Sequence, residues 1–451
     1  MREQIGGERF CRISGELSGR RYAAGKVGNM GIGEWITNSI FSLLYMIPGI
    51  GPRIRKWREK RTEYEDYNGR RRRRKRFSLF DRRKGLDMKF LLILGAIIII
   101  GLVMMFSASF PVAYFSKDSS YYFIKRQTGF AIGGLALMFL LSCVDYHTYH
   151  VFAAPMMVGA WLLMIVVWFA NFGSDEPKRW LNIGPISIQV SEICKFALIL
   201  FLAHWGSVYY DKMTTFKYGV APGIVLLLIT SFLLYIEPHY SGIVICGLII
   251  AIMMALSGVK VRYFVAAAGI GGLGVFVMAI TGKLTYAMSR LEGWGQALEY
   301  TTADMWNTTW QTRNSLYAIG SGGLWGLGLG QSRQKYMYLP EPQNDFVFAI
   351  VCEELGFFGA LLVLILFGML VYRGFKICMK APDKFGMLLG VGLMAQIGLQ
   401  VVLNILVITD WLPNTGISLP FFSYGGSSLI MLLAQMGIVL NISRSAAIDK
   451  T

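Results

Sequence analysis

Residues 338–359 read YLPEPQNDFVFAIVCEELGFFG. A Pro-flanked polar turn, Leu339-Pro-Glu-Pro-Gln-Asn-Asp345, runs directly into an apolar helix that continues past Leu370. A segment of that length and hydrophobicity is suited to a bilayer, which puts Asp345 at the lip where water ends and lipid begins. Burial at such a lip raises a carboxyl pKa and makes the group a usable base. A local reading competes: Asn344 and Asp345 are both good capping residues, and Asp345 would then only cap the helix that follows. On local grounds both readings stay open.

The rest of the chain agrees with a membrane setting. Of 451 residues, 54% are hydrophobic and 16% charged, more apolar and less charged than an ordinary soluble domain. About ten apolar stretches approach the length that a spanning helix needs: 88–108, 126–144, 151–171, 190–208, 219–236, 241–257, 262–281, 346–371, 386–408 and 428–443. The fold expected is therefore an all-α polytopic membrane protein. The net charge of +17 is uneven: residues 1–89 carry 23 Lys/Arg against 10 Asp/Glu, a net +13. The six cysteines have no paired spacing, so neither a disulfide framework nor a metal site is expected.

Three regions follow. Residues 1–87 form a basic N-terminal tail, Gly- and Arg-rich and partly disordered over 1–33, with a short apolar stretch at 34–47 that suits a helix lying on the membrane surface. Seven consecutive basic residues, Arg70–Arg76, stand before the first span. Such a run fits an anchor against anionic lipid on the inner face better than a nucleic-acid site. Residues 88–445 form the transmembrane domain and 446–451 a short tail. The expected inner loops hold Lys212 and Lys217, Lys260 and Arg262, and Arg373, Lys376, Lys380 and Lys384. Both termini are then cytoplasmic. The large loop 282–345, the fourth on the extracytoplasmic side, puts Asp345 outside, away from ATP and nucleotide sugars; no GxxxxGK[ST] loop is present.

Several polar groups could converge on that carboxylate. Arg179 and Trp180, in the loop 172–189, pair a forked cation suited to phosphate with an indole suited to a sugar face, although a belt tryptophan with a snorkelling neighbour reads the same way. Glu192 and Lys195 are three apart on the start of a spanning helix, where ionisable groups are costly and usually face a cavity. Glu237-Pro238-His239 reads as a tight re-entrant turn. The run Ile319–Gly330 is Gly-rich: it is either a cradle of exposed amides for an oxyanion or a flexible turn. Gln396, Gln400 and Asn404 form an i, i+4, i+8 stripe that reads as interhelical glue.

Taken together, Lys178-Arg179-Trp180, Gln189–Glu192, Gln311…Ser315, Ala318–Gly323, Leu339-Pro-Glu…Asp345-Phe, Glu353–Gly356 and Leu419–Ser428 resemble the SEDS family (shape, elongation, division and sporulation), which contains FtsW, RodA and SpoVE. The resemblance covers roughly residues 88–445 and leans towards FtsW or SpoVE through Met104–Ser109. It departs from the family at Val190, where Pro is usual, and at His239, where Asp is common.

The resemblance implies a peptidoglycan glycosyltransferase of the bacterial plasma membrane that polymerises lipid II onto a growing glycan strand, with inversion and release of undecaprenyl diphosphate. It implies Asp345 as the catalytic residue, with Arg179, Glu192 and Lys195 functional around the second outer loop. Trp180, Gln311, Ser315 and Glu341 complete the expected substrate contacts. No cofactor is evident, and a divalent cation is left open. The expected partner is a class B penicillin-binding protein that supplies the transpeptidase; nucleic acid is not expected. The rival readings are a lipid II flippase, weakened because no inverted repeat of broken helices is evident, and a scaffold that only recruits its partner.

Overall fold

The computed structural model describes residues 63–65, 71–73, 85–170, 179–183, 186–266, 294–299 and 303–446. The chain divides into two units, Met1–Phe80 and Asp81–Thr451. In the first, strand β1 (Glu63–Glu65) pairs antiparallel with β2 (Arg71–Arg73), Glu63 opposite Arg73 and Glu65 opposite Arg71. Part of the basic run is thus paired backbone, which its composition did not foretell. The stretch expected to lie on the membrane surface, 34–47, falls outside the described residues, as do 1–33.

The second unit is helical. Its elements are α1 (Met88–Lys117), α2 (Tyr122–Cys143), α3 (Tyr149–Ala170), the hairpin β3 (Trp180–Ile183) and β4 (Ile186–Gln189), α4 (Val190–Val208), α5 (Ala221–Ile236), α6 (Tyr240–Leu256), α7 (Ala303–Ser321), α8 (Val347–Met379), α9 (Lys384–Ile408) and α10 (Gly426–Ser445). Among the described residues eight helices are long and apolar enough to cross a membrane, and α6 adds a shorter one of 17 residues. The protein is a polytopic membrane protein. The seventh expected span, 262–281, is helical over 261–266, and its remainder lies outside the described residues.

Three helices form the centre. Two-thirds or more of the apolar windows of α4, α9 and α10 are buried, against 28% for α2, α3 and α8. The outer helices turn Ile132, Leu162 and Phe232 outward, as a lipid-facing surface requires. Small residues let the helices close up. At Gly437 on α10 a Cβ would lie 2.5 Å from the Met138 carbonyl of α2, and at Gly134 on α2 it would lie 2.6 Å from Leu433. Polar side chains lock the same pair: the Asn441 amide donates to the Ser142 carbonyl at 2.8 Å and accepts from the Tyr146 amide at 2.9 Å. At the Lys/Arg-rich end, Asp87 caps α1 through Phe90 N at 2.9 Å and receives the Arg373 fork from α8, at 2.6 Å to Oδ2.

Two features differ from the sequence reading. The large loop contains α7, a 19-residue helix. Its buried Arg313 donates to the carbonyls of Ala297 at 2.6 Å and Glu299 at 3.2 Å, which ties it to the preceding loop. Helix α8 is broken at Gly356 (φ 67°, ψ −169°), a backbone conformation largely reserved to glycine. The Gly-rich turn fills the break. Leu327 and Gly328 donate to the Glu353 and Glu354 carbonyls at 2.9 and 3.0 Å, and Phe357 and Phe358 donate to the Gly323 and Leu324 carbonyls at 2.9 and 3.2 Å. Of the two readings of Ile319–Gly330, neither holds for those groups: they replace the helical hydrogen bonds that the break removes.

Candidate active site

The stretch 338–346 is fastened from three sides. Leu339 N donates to the Gln334 carbonyl at 2.9 Å, and Tyr424 N donates to the Gln343 carbonyl at 2.8 Å. From the interior of α9 the Asn404 amide donates both to the Asp345 carbonyl at 2.7 Å and to the Ile417 carbonyl at 2.6 Å. Of the polar stripe on α9, Asn404 joins the candidate base to the segment before α10, two loop segments rather than two helices, while the Gln396 side chain has no hydrogen-bond partner among the described residues.

The local ambiguity at Asp345 resolves here. The N-cap of α8 is Phe346, and no side chain caps that end. The Asp345 carboxyl is not a helix cap; it lies half-buried against Gly416. Gly416 has φ +67°, and a Cβ there would sit 3.0 Å from Asp345 Oδ2. Glycine thus supplies both a left-handed turn and the room beside the carboxyl. Burial and the neighbouring Glu341 carboxylate push the Asp345 pKa up to about 6, against the opposing pull of Arg179. At neutral pH the group is mostly ionised yet basic enough to take a proton.

Arg179 reaches the same place from the β3–β4 hairpin. Its guanidinium donates to the Pro238 carbonyl in the turn between α5 and α6 and lies within electrostatic reach of Asp345, Glu237 and His239. Trp180 opens β3, half-buried and opposite Gln189 in the register. Gln189 N donates to Ser427 Oγ of α10 at 3.2 Å, which fixes where α4 begins. On the first turns of α4, Lys195 donates to Glu192 at 2.6 Å, with both side chains about 95% buried. Lys195 also acts electrostatically on His239. Asp345, Arg179, the Glu237–His239 turn and Lys195 with Glu192 thus form one continuous neighbourhood, although they come from four separate parts of the chain.

The remaining expected contacts stand further from the carboxyl. Gln311 on α7 bridges two loops, donating to the Pro340 carbonyl at 3.4 Å and accepting from Asn414 at 2.8 Å. Glu341 is exposed, accepts from Asn344 at 2.7 Å and acts on Asp345 through its charge. Ser315 is fully buried, and its hydroxyl donates to the Ile408 carbonyl at 2.9 Å, holding α7 on the end of α9. Among the described residues no group of three metal-ligating side chains is present.

Sequence reasoning treated Glu237 only as part of a turn. Its side chain is 1% exposed, and neither carboxyl oxygen has a hydrogen-bond partner among the described residues. Burial pushes its pKa up to about 8 against the pull of Arg179. The available signal was an acid placed directly before proline between two apolar runs.

Residues 87–448 match the family model FTSW_RODA_SPOVE, described as cell cycle protein. The chain is 39% identical over 363 residues to stage V sporulation protein E of Bacillus subtilis, covering 79% of this chain and 97% of that one. It is 34% identical over 359 residues to a probable peptidoglycan glycosyltransferase FtsW of Geobacter sulfurreducens, covering 79% and 95%. Among solved structures it superposes on the rod shape determining protein RodA of Thermus thermophilus with TM-score 0.58 and 27% identity, covering 81% and 99%. It also superposes, with TM-score 0.65 and 25% identity over 81% and 99%, on a chain from work on the structural coordination of polymerization and crosslinking by a peptidoglycan synthase complex. With the family model spanning nearly all of the helical unit, this chain belongs to the FtsW, RodA and SpoVE family of cell cycle proteins.

Proposed function

We propose that this chain is a peptidoglycan glycosyltransferase that polymerises lipid II on the extracytoplasmic face of the bacterial plasma membrane. The observation that carries the reading is the Asp345 carboxyl: half-buried, not engaged as a cap, seated against Gly416 and within electrostatic reach of Arg179. Its relatives named as FtsW glycosyltransferases support the reaction class. The Lys/Arg-rich loops lie at the opposite end of α8 and α9 from Asp345, which supports an outward-facing site.

Asp345 takes the proton of the acceptor 4-hydroxyl as that oxygen attacks the anomeric carbon of the donor. The bond from that carbon to the diphosphate breaks, and the diphosphate leaves with the electron pair on the opposite face, inverting the centre. Arg179 and Lys195 receive the developing negative charge, with Glu192 orienting Lys195. A second carboxylate at the anomeric carbon, of the kind glycoside hydrolases use, is not required because the leaving group is already activated. Trp180 offers a face to a sugar ring. Gln311 holds the loops around Pro340 and Asn414 together, and Glu341 tunes the base. A class B penicillin-binding protein is the partner that crosslinks the strands, supported by the likeness to a chain from a synthase complex.

The test is purified full-length protein with labelled lipid II and no other synthase, alongside the Asp345→Asn variant. Glycan strands from the wild type and none from the variant support the enzyme. Movement of lipid II across the bilayer without strands would favour a flippase instead, and neither activity would favour a scaffold.

A further inference from the structure

Buried polar atoms nearly always find partners, because an unpaired one costs the free energy of its lost hydration. At the outer ends of α4, α5 and α6 several do not. Both Glu237 oxygens, His239 Nδ1, Ser191 Oγ and Glu192 Oε2 lack hydrogen-bond partners among the described residues, although all four side chains are more than nine-tenths buried. They belong to a neighbourhood that holds two cations, Arg179 and Lys195. A diphosphate oxygen, which accepts only, would satisfy the Ser191 hydroxyl and a protonated Glu237, whereas Glu192, paired with Lys195, stays an acceptor.

We propose that Glu237 is a substrate-contacting residue whose protonated carboxyl donates a hydrogen bond to a non-bridging oxygen of the diphosphate as it departs between Arg179 and Lys195. This rests on the reading that a lipid-linked diphosphate is the leaving group. The proton stays on Glu237 throughout: the bond that breaks is the one from the anomeric carbon to the diphosphate, and the only proton transferred goes to Asp345. An ionised carboxylate at this place would repel the leaving group, whereas a carboxylic acid carries one donor. An apolar site can keep such an acid neutral for donation, and burial pushes the Glu237 pKa up to about 8. His239 in the same turn is pushed down to about 3 by burial and by the charges of Arg179 and Lys195, so it too is neutral at pH 7. The turn thus holds two neutral groups within electrostatic reach of Arg179, and His239 also within reach of Lys195. Its shape depends on Gly242, where a Cβ would sit 2.9 Å from His239 Nδ1.

The groups in electrostatic contact with Glu237 are Arg179 from the hairpin and Cys194 from α4, and Lys195 of α4 acts on His239 in the same turn. A pH profile alone would mix them, so the experiment compares variants. Initial rates of lipid II polymerisation are measured with the full-length chain over lipid II concentration and from about pH 6.5 to about 9, a range that brackets the raised pKa of Glu237, for wild type, E237A, E237Q and D345N. Loss of a hydrogen bond to a charged group predicts that E237A falls roughly 10- to 100-fold in kcat, with KM moving less. E237Q keeps a neutral donor and restores activity to within about fivefold of wild type. The wild-type rate declines as pH rises through about 8, and E237Q does not show that decline. Should E237A fail to fold, E237Q and its pH profile still decide. An E237A rate within about twofold of wild type, E237Q as impaired as E237A, or the same alkaline decline in E237Q would each overturn the proposal. Strands made by D345N would instead sink the mechanism on which it rests.

Discussion

Two buried charged clusters, one at the break in α8 and one around the Glu237 turn, differ in one respect. Around the break at Gly356, Lys335 donates to Glu354 at 2.8 Å and to Ser107 at 3.1 Å, and Ser107 donates to both Glu354 oxygens at 2.7 and 2.8 Å. Glu353 accepts from the Ser332 hydroxyl and from Arg333 N at 2.9 Å. Lys335, Glu353 and Glu354 are all paired there. Around Asp345, by contrast, Glu237 has no partner and Glu192 uses only one of its oxygens among the described residues. Both clusters are buried, and burial alone would make both look functional. The saturated one is cement for the loop 327–336. The unsaturated one keeps open valences at a cost in stability, and the proposed function gives them a ligand.

That contrast can be broken by exchanging what each cluster is asked to do. Asp345→Asn should lower polymerisation by about 10²–10⁴-fold, the usual contribution of a general base, while the thermal unfolding midpoint stays within about 2 °C. A large fall in the midpoint would mean that Asp345 is also cement. Lys335→Ala should do the reverse. It strands Glu354 in the interior and should cost about 3–5 kcal/mol of stability, read as loss of folded protein in detergent. Wild-type stability in that variant would remove the distinction drawn above. Gly416→Ala places a Cβ 3.0 Å from Asp345 Oδ2 at φ +67°, and should cost roughly tenfold in rate but only about 1 kcal/mol in stability.

Smaller effects sharpen the electrostatics. Under the proposed mechanism Asp345, raised to about 6, works in its ionised form, so the rate should rise with pH through about 6, gaining roughly tenfold between pH 5 and 7. Glu341 contributes to that raised value, so Glu341→Gln should move the rising limb to lower pH, read from the same profile. No shift would mean that Glu341 does not sense the site.

The spans were legible in the sequence because about twenty apolar residues in a row need lipid around them. Glu192 and Lys195 were legible too, since a three-residue spacing puts them on one face wherever the helix lies. Further features were hidden for identifiable reasons. Helix α7 is rich in Trp, Thr and Asn, and it is held by Arg313 reaching carbonyls that lie 14 and 16 residues away. The break in α8 depends on pairing with residues about 30 positions earlier, and the string CEELGFFG reads as continuous helix without them. Glu237 lies near Arg179, 58 residues upstream, and no local pattern joins the two. Whether Asp345 caps the next helix could not be read from neighbours that favour either reading; the helix start at Phe346, with no side-chain cap, excludes the cap.

Asn404 carries a consequence beyond its hydrogen bonds. One amide grips the carbonyl of Asp345 and the carbonyl of Ile417 at once, so the two segments shift as a pair. The Asp345 carboxyl sits on a turn, yet its position is inherited from a rod in the middle of the bundle. The side chain gains the reach of a loop together with the steadiness of the protein's axis.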